Sequence, residues 1–330
     1  MKNVILYLIG LSALIATLWI ADLSNTISDI RSVNIQIVIL LCLLQCITIG
    51  LISSQWHIIT RKLNRDISYS QVLDVNMAGT VVESITPALK AGGELTKVLL
   101  MRSRWNISGS DATAIICIQK IISLFPFMTL CLASLGWIIF YGDKQTESMY
   151  IFTGAFILFL GIFTSFSLIV MFPEAMIRFT EKFPVKNTIK VRISNNLSDF
   201  RDSVRILKNK NSYIPVLLTL SFIIWGLFGV KAYLLADAIN IDLGVAAIFT
   251  VTILSYMIAM VPVSPGGIGT FEGSILVLLS SMGIASSLAI TFALVLRFTT
   301  YWFAFLLSTL YLAIKKVADY RQPDGNEPNW

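Results

Sequence analysis

Residues 262–273 read PVSPGGIGTFEG. This stretch, dense in proline and glycine, lies between two strongly apolar runs and sets a glutamate, Glu272, just past the break. Proline stops an entering helix, and glycine allows tight backbone with positive φ. Unwound backbone inside a bilayer leaves N–H and C=O groups without partners, so it persists only where protein covers it or where it lines a wet cavity. A break of this kind in an otherwise apolar chain therefore marks a place that the fold must protect.

The rest of the chain is apolar enough for that argument to apply. Hydrophobic residues make up 56% of the 330 positions, charged residues only 13%, and the mean hydropathy is +0.78. Such a chain cannot cover itself with a polar shell, and it reads as an all-α, polytopic membrane protein. The net charge of +6 belongs with cytoplasmic loops of a membrane protein. No basic stripe with interleaved aromatics accompanies it, so nucleic acid is not an expected partner. Cys42, Cys46, Cys117 and Cys131 sit inside apolar runs and read as small buried packing residues, with no metal set or disulfide framework implied.

Apolar stretches long enough to cross a bilayer, which takes about 20 helical residues, occur near 4–21, 36–58, 111–140, 150–173, 212–237 and 285–315. Two more, about 68–104 and 243–283, are each interrupted near the middle. The loop at 174–211 carries nine Lys/Arg against four Asp/Glu, and Arg61, Lys62 and Arg65, then Lys97, Arg102 and Arg104, flank other spans. These sides are expected to be cytoplasmic. If both interrupted stretches are re-entrant hairpins, six full crossings leave both termini in the cytoplasm of a cell-membrane protein, with the first hairpin dipping from inside and the second from outside. Leu197, Phe200, Val204 and Leu207 share one helical face, which predicts an amphipathic helix lying on the inner lipid surface, with a partner-docking site as the alternative. The tail over 319–330 reads as disordered.

The two interruptions follow one plan. TPALKAGGELTKVLL (86–100) and SPGGIGTFEGSILVL (264–278) each place a glutamate seven residues after a proline, Pro87 to Glu94 and Pro265 to Glu272. Glu94 precedes Lys120 by 26 residues and Glu272 precedes Arg297 by 25, each base lying inside an apolar span. The unit of span, broken hairpin and span therefore occurs twice, about 36–140 and 212–315, and three crossings between the hairpins make the copies an inverted repeat, as in many secondary transporters. The half-helices starting near Gly93 and Gly269 aim free N–H groups and positive dipole ends inward, where they suit anions.

Charges inside a bilayer are functional or paired. One reading makes Glu94 and Glu272 caps or ion-pair partners of Lys120 and Arg297. The other makes those bases, with the N–H groups of the hairpins, the binding site for an anionic head group. Glu83 and Asp74 have no counterpart in the second hairpin, and Lys231 is placed to snorkel to the interface. His57, the only histidine, reads as interfacial and cannot build a usual metal site alone. GGIGTFE superficially resembles a dinucleotide-binding turn but lacks its βαβ context and spacing. With no phosphate loop, Asp-x-Asp pair or nucleophile elbow, transport is favoured over catalysis, with no cofactor and no metal.

TPALKAGGEL with Lys120, and VPVSPGGIGTFEG followed by Ala289, Ala293 and Arg297, resemble the two signature regions of the lysylphosphatidylglycerol synthase transmembrane family, also called the flippase-like domain family. The resemblance spans roughly 5–315. It implies re-entrant segments and translocation of lipids with polar head groups, and it carries over Pro87, Gly93, Glu94, Pro265, Gly266, Gly267, Gly269, Glu272 and Arg297. Lys120 stands where the family usually has arginine, which removes bidentate phosphate binding at that side chain. The soluble aminoacyltransferase domain of the synthases is absent, so aminoacyl lipid synthesis is not expected. The expectation is a flippase for an anionic or phosphate-linked lipid, such as a polyprenyl-phosphate sugar or an aminoacyl-phospholipid, with a lipid-modifying enzyme or glycosyltransferase as a partner. The alternatives are a membrane enzyme of lipid-linked sugar synthesis and a non-transporting scaffold for a cell-envelope synthase.

Overall fold

The structure, a computed structural model, describes residues 23–63, 67–86, 91–141, 148–172, 197–206, 209, 213–261 and 264–321. Every regular element among the described residues is helical. In chain order these are α1 (Leu23–Ser32), α2 (Ile35–Leu63), α3 (Tyr69–Ile85), α4 (Ala91–Trp105), α5 (Gly109–Tyr141), α6 (Ser148–Met171), α7 (Ile214–Ala238), α8 (Val245–Ala259), α9 (Thr270–Ser281), α10 (Ser286–Arg297) and α11 (Phe303–Arg321). A further helical segment covers 197–206. A 3₁₀ turn, Pro265–Gly267, stands between α8 and α9, and a π-turn, Phe298–Trp302, joins α10 to α11.

Among the described residues five helices are long and apolar enough to cross a membrane: α2, α5, α6, α7 and the α10–α11 rod. The sixth expected span, 4–21, lies outside the described residues, as do Pro87, most of the loop at 174–211 and the tail beyond Arg321. Each interrupted stretch is a pair of shorter helices, of 17 and 15 residues in α3 and α4 and of 15 and 12 residues in α8 and α9. At about 1.5 Å per residue these are roughly 18–26 Å long, short of the ~30 Å hydrocarbon core.

Local chemistry sets the ends. Ser68 starts α3 with a capping box: its hydroxyl accepts from Gln71 N at 3.3 Å while the Gln71 side chain accepts from Ser68 N at 2.8 Å. Asn106, Asn240 and Gly283, with φ of 52°, 58° and 82°, close α4, α7 and α9 in the left-handed conformation usual past a helix end.

Packing joins the two halves reciprocally. α2 and α7 run antiparallel: Lys62 stacks over the Tyr213 ring, Gln55 donates to the Leu217 carbonyl at 3.0 Å, and Gln45 meets Lys231. α3 runs antiparallel to α11, since Tyr301 reaches Ser84, Ser308 reaches Met77, and Tyr311 with Lys315 reaches Asp74. α5 likewise lies against α8, so the first arm of each helix pair rests on the last span of the other half. Even single bonds recur. Gln45 of α2 donates to the Thr300 carbonyl at 3.1 Å and Trp225 of α7 to the Ser123 carbonyl at 2.9 Å, each acceptor lying three residues past Arg297 or Lys120.

Two apolar cores result, one around α3, α4 and the first half of α5, the other around α8, α9 and α10, with α5 and α7 running through both. Several expectations are corrected here. Of the four cysteines only Cys131 is buried; Cys42 and Cys117 are half-buried and Cys46 is exposed. The 197–206 helix turns Phe200 and Val204 of its apolar face toward the first core. It docks on the bundle, with Val204 buried in the first core and Ser203 donating to the Asp111 carboxylate. The helix of α11 continues through Arg321, so the segment expected to be disordered begins helical.

Candidate functional site

In the second half the break itself builds a charged site. Gly266, Gly267 and Gly269 have φ of 59°, 70° and 80°, values that side-chain-bearing residues adopt only with strain. A Cβ at Gly267 would stand 2.8 Å from both the Cβ and the carbonyl oxygen of Ala259. The chain thereby turns within hard contact of α8 and starts α9 at Thr270. Glu272, buried in the first turn, accepts a hydrogen bond from Gly269 N at 2.7 Å through one carboxylate oxygen, and its other oxygen lies 3.6 Å from Arg297 Nε. Arg297 donates through Nη2 to the Gly266 carbonyl, while its Nε makes no hydrogen bond among the described residues. The guanidinium is held between two rings, 5.1 Å from the Phe271 centroid and 4.7 Å from that of Tyr301, a placement that is favourable when desolvated. Capping and pairing, open alternatives in the sequence, are here both performed by Glu272.

In the first half, α4 begins at Ala91, two residues before the expected Gly93, which therefore lies within the first turn. Gly93 is a point of close approach, where a Cβ would stand 2.6 Å from the Gly79 carbonyl and 2.7 Å from Glu83 Cβ. Glu94 uses a single carboxylate oxygen for two ammonium groups, Lys120 Nζ at 2.7 Å and Lys97 Nζ at 3.4 Å. Its second oxygen is buried without a hydrogen bond among the described residues. Lys97, expected as a flanking cytoplasmic charge, is instead buried, with its ammonium 4.5 Å from the Trp56 ring centroid. Gly79 makes this possible, since any side chain there would strike the Lys97 stem. Its i, i+3 spacing from Glu94 permits the pair but does not single it out, since the position also reads as one of the charges flanking a span.

The second break meets the end of α3. α3 lies against the Pro265–Gly267 turn, and Tyr301 donates to the carbonyl of Ser84, near the end of α3, at 2.9 Å. The same hydroxyl occupies the space that a Cβ at Gly266 would need. Tyr301 belongs to the π-turn, a feature often found at functional sites. There the Thr300 hydroxyl accepts from Tyr256 at 2.9 Å, and its carbonyl takes the bond from Gln45.

Two other charges are placed differently from expectation. Lys231 does not snorkel to an interface: it is fully buried, bonded to Gln45 and 3.3 Å from the Thr48 hydroxyl, with its ammonium 4.2 Å from the Phe228 centroid. No carboxylate pairs with it among the described residues. Asp74, which has no counterpart in the second hairpin, accepts from the Tyr311 hydroxyl at 2.8 Å and pairs with Lys315. It ties α3 to α11. His57 sits edge-on to Tyr69, with ring centroids 5.9 Å apart.

Fold and site together define an α-helical, multi-pass membrane protein with a charged pair at the break of each of two short-helix pairs. The chain belongs to the family described as Lysylphosphatidylglycerol synthase TM region, which it matches over residues 4–308. It is 24% identical to a UPF0104 membrane protein of Methanothermobacter thermautotrophicus, over 91% of this chain and 92% of that protein. It is also 22% identical to UPF0104 membrane protein PH1989 of Pyrococcus horikoshii, over 93% and 95%, and 21% identical to MJ1595 of Methanocaldococcus jannaschii, over 96% and 95%. No solved structure matches the chain. Membership of this family implies a role connected with membrane lipids.

Proposed function

We propose that the protein is a flippase that carries an anionic or phosphate-linked lipid between leaflets, the head group passing between the two helix breaks while the tail stays in lipid. The observation that carries this reading is the pair of matched charged sites: two carboxylate–base pairs, Glu94 with Lys120 and Glu272 with Arg297, stand at the N-termini of α4 and α9, and Tyr301 ties the end of α3 to the second break. Bases at helix N-termini suit a phosphate, and a base can exchange its carboxylate for one. The antiparallel pairing of α2 with α7 and the reciprocal contacts of α3 with α11 and α5 with α8 support an inverted repeat, with both pairs re-entrant. Two such halves give inward-open and outward-open states of similar energy. The protein is read as a transporter of the cell membrane with both termini cytoplasmic, performing no chemistry itself.

Native mass spectrometry of the gently solubilised protein tests this. Wild type should retain a specific phosphate-bearing lipid, and a Glu94→Gln, Lys120→Gln double variant, checked for an unchanged fold, should lose it. The same unselective lipids on both proteins would contradict the reading and point to a scaffold.

A further inference from the structure

The two half-sites are matched in sequence but not in state. In the second, Arg297 and Glu272 are closed in, with side chains 6% and 4% exposed. The guanidinium is enclosed by Phe271 and Tyr301 and anchored on the Gly266 carbonyl, and the carboxylate is spent partly on Gly269 N. No face of this pair is open to an incoming group. In the first half-site Lys120 is 29% exposed and Glu94 15%. Two ammonium groups there converge on one oxygen of Glu94, and the buried second oxygen has no hydrogen bond among the described residues. An ammonium carries three donors, and that of Lys120 directs one of them at Glu94.

From this asymmetry the geometry points to a division of labour, resting on the transport reading above: Lys120 with Lys97 is the entry site for the phosphate group, and Arg297 is the clamp that holds the second helix break shut. The phosphate takes the place of Glu94 between the two ammonium groups. Lysine suits this task. As a compact point charge on a flexible stem it releases and re-forms contacts readily, whereas the planar arginine fork is suited to a fixed, stacked position. Lys97 presents its ammonium from the half-helix and Lys120 from the span behind it, so an anion bound by both would draw α4 and α5 together. Gly79 enters the same account because it makes room for the Lys97 stem.

The experiment compares Lys120→Gln, Lys120→Arg and Arg297→Lys with wild type in detergent. Each is titrated with a soluble short-chain phosphatidylglycerol and, separately, with inorganic phosphate, and thermal unfolding is recorded beside binding. Lys120→Gln should weaken binding more than about tenfold with little change in Tm, Lys120→Arg should restore most of it, and Arg297→Lys should lower Tm and weaken binding less than Lys120→Gln does. Wild-type binding of both probes identifies the phosphate alone as sufficient; binding of the lipid only assigns part of the recognition to the glycerol and chains. The Lys120 comparison is read in whichever arm binds. Binding kept by Lys120→Gln and lost in a folded Arg297→Lys protein would overturn the assignment and leave the transport reading intact. No binding of either probe by wild type would overturn the transport reading itself.

Discussion

A methyl group at Gly267 would have to adopt a φ of 70° and stand 2.8 Å from Ala259, whose backbone cannot move without moving α8. Gly267→Ala should therefore cost about 2–4 kcal/mol, combining left-handed strain with overpacking, and should lower the Tm measured in detergent. Gly136 has nothing within 4 Å of a Cβ position, so Gly136→Ala should leave Tm unchanged or raise it. Lys231 supplies a second residue-scale test. Removing a buried charge altogether is often near neutral, whereas stripping its partner is costly. Lys231→Met should thus shift stability by less than about 1 kcal/mol, while Gln45→Leu, which leaves the ammonium without its main acceptor, should cost about 3 kcal/mol; chemical unfolding of the two variants separates these outcomes. At this scale the glycines of the second break and the four charges at the breaks are legible in the sequence, because strained backbone and charge inside a bilayer are both too costly to persist without a structural or functional use. Lys97 and Lys231 are not. A lysine near the end of an apolar run reads equally well as a loop or interfacial charge, and a linear sequence does not reveal that Gly79 clears its path or that Gln45 waits opposite.

Between elements, the contact of Ser308 Oγ with Met77 Sδ at 3.1 Å fixes the register of α3 on α11. Cysteines at these two positions, in a protein whose four native cysteines are serine, should cross-link under mild oxidation, with a shift visible after proteolysis between them. Failure to cross-link would contradict the antiparallel pairing of the first hairpin with the last span. The long spans are readable to within a few residues, because their apolar runs carry at most an isolated charge inside them and end near Asn, Gly or charged positions. The π-turn after Arg297 is not, since the residues on either side of it continue one apolar run and a one-residue change in hydrogen-bond register leaves no mark on that pattern. The 197–206 helix follows from its periodicity, yet its seat does not: Ser203 and Asp111, 92 residues apart, decide it.

For the molecule as a whole, the proposed repeat rests on two equal Pro-to-Glu spacings in the sequence, whereas the reciprocal contacts between the two halves emerge only from packing. If those halves are inverted in the membrane, a cysteine at Ser103 and one at Met282 should react with an impermeant thiol reagent from opposite sides of sealed vesicles; same-side reaction would rule the inversion out. The central claim is lipid movement past the two charged half-sites. It is tested most directly by reconstituting the protein in vesicles with a fluorescent anionic phospholipid in both leaflets and adding an impermeant reductant. Wild type should expose the inner-leaflet label to reduction, and the Lys120→Gln and Arg297→Gln variants should slow that phase at least tenfold. Inner-leaflet label as protected in wild-type vesicles as in protein-free ones would contradict the account.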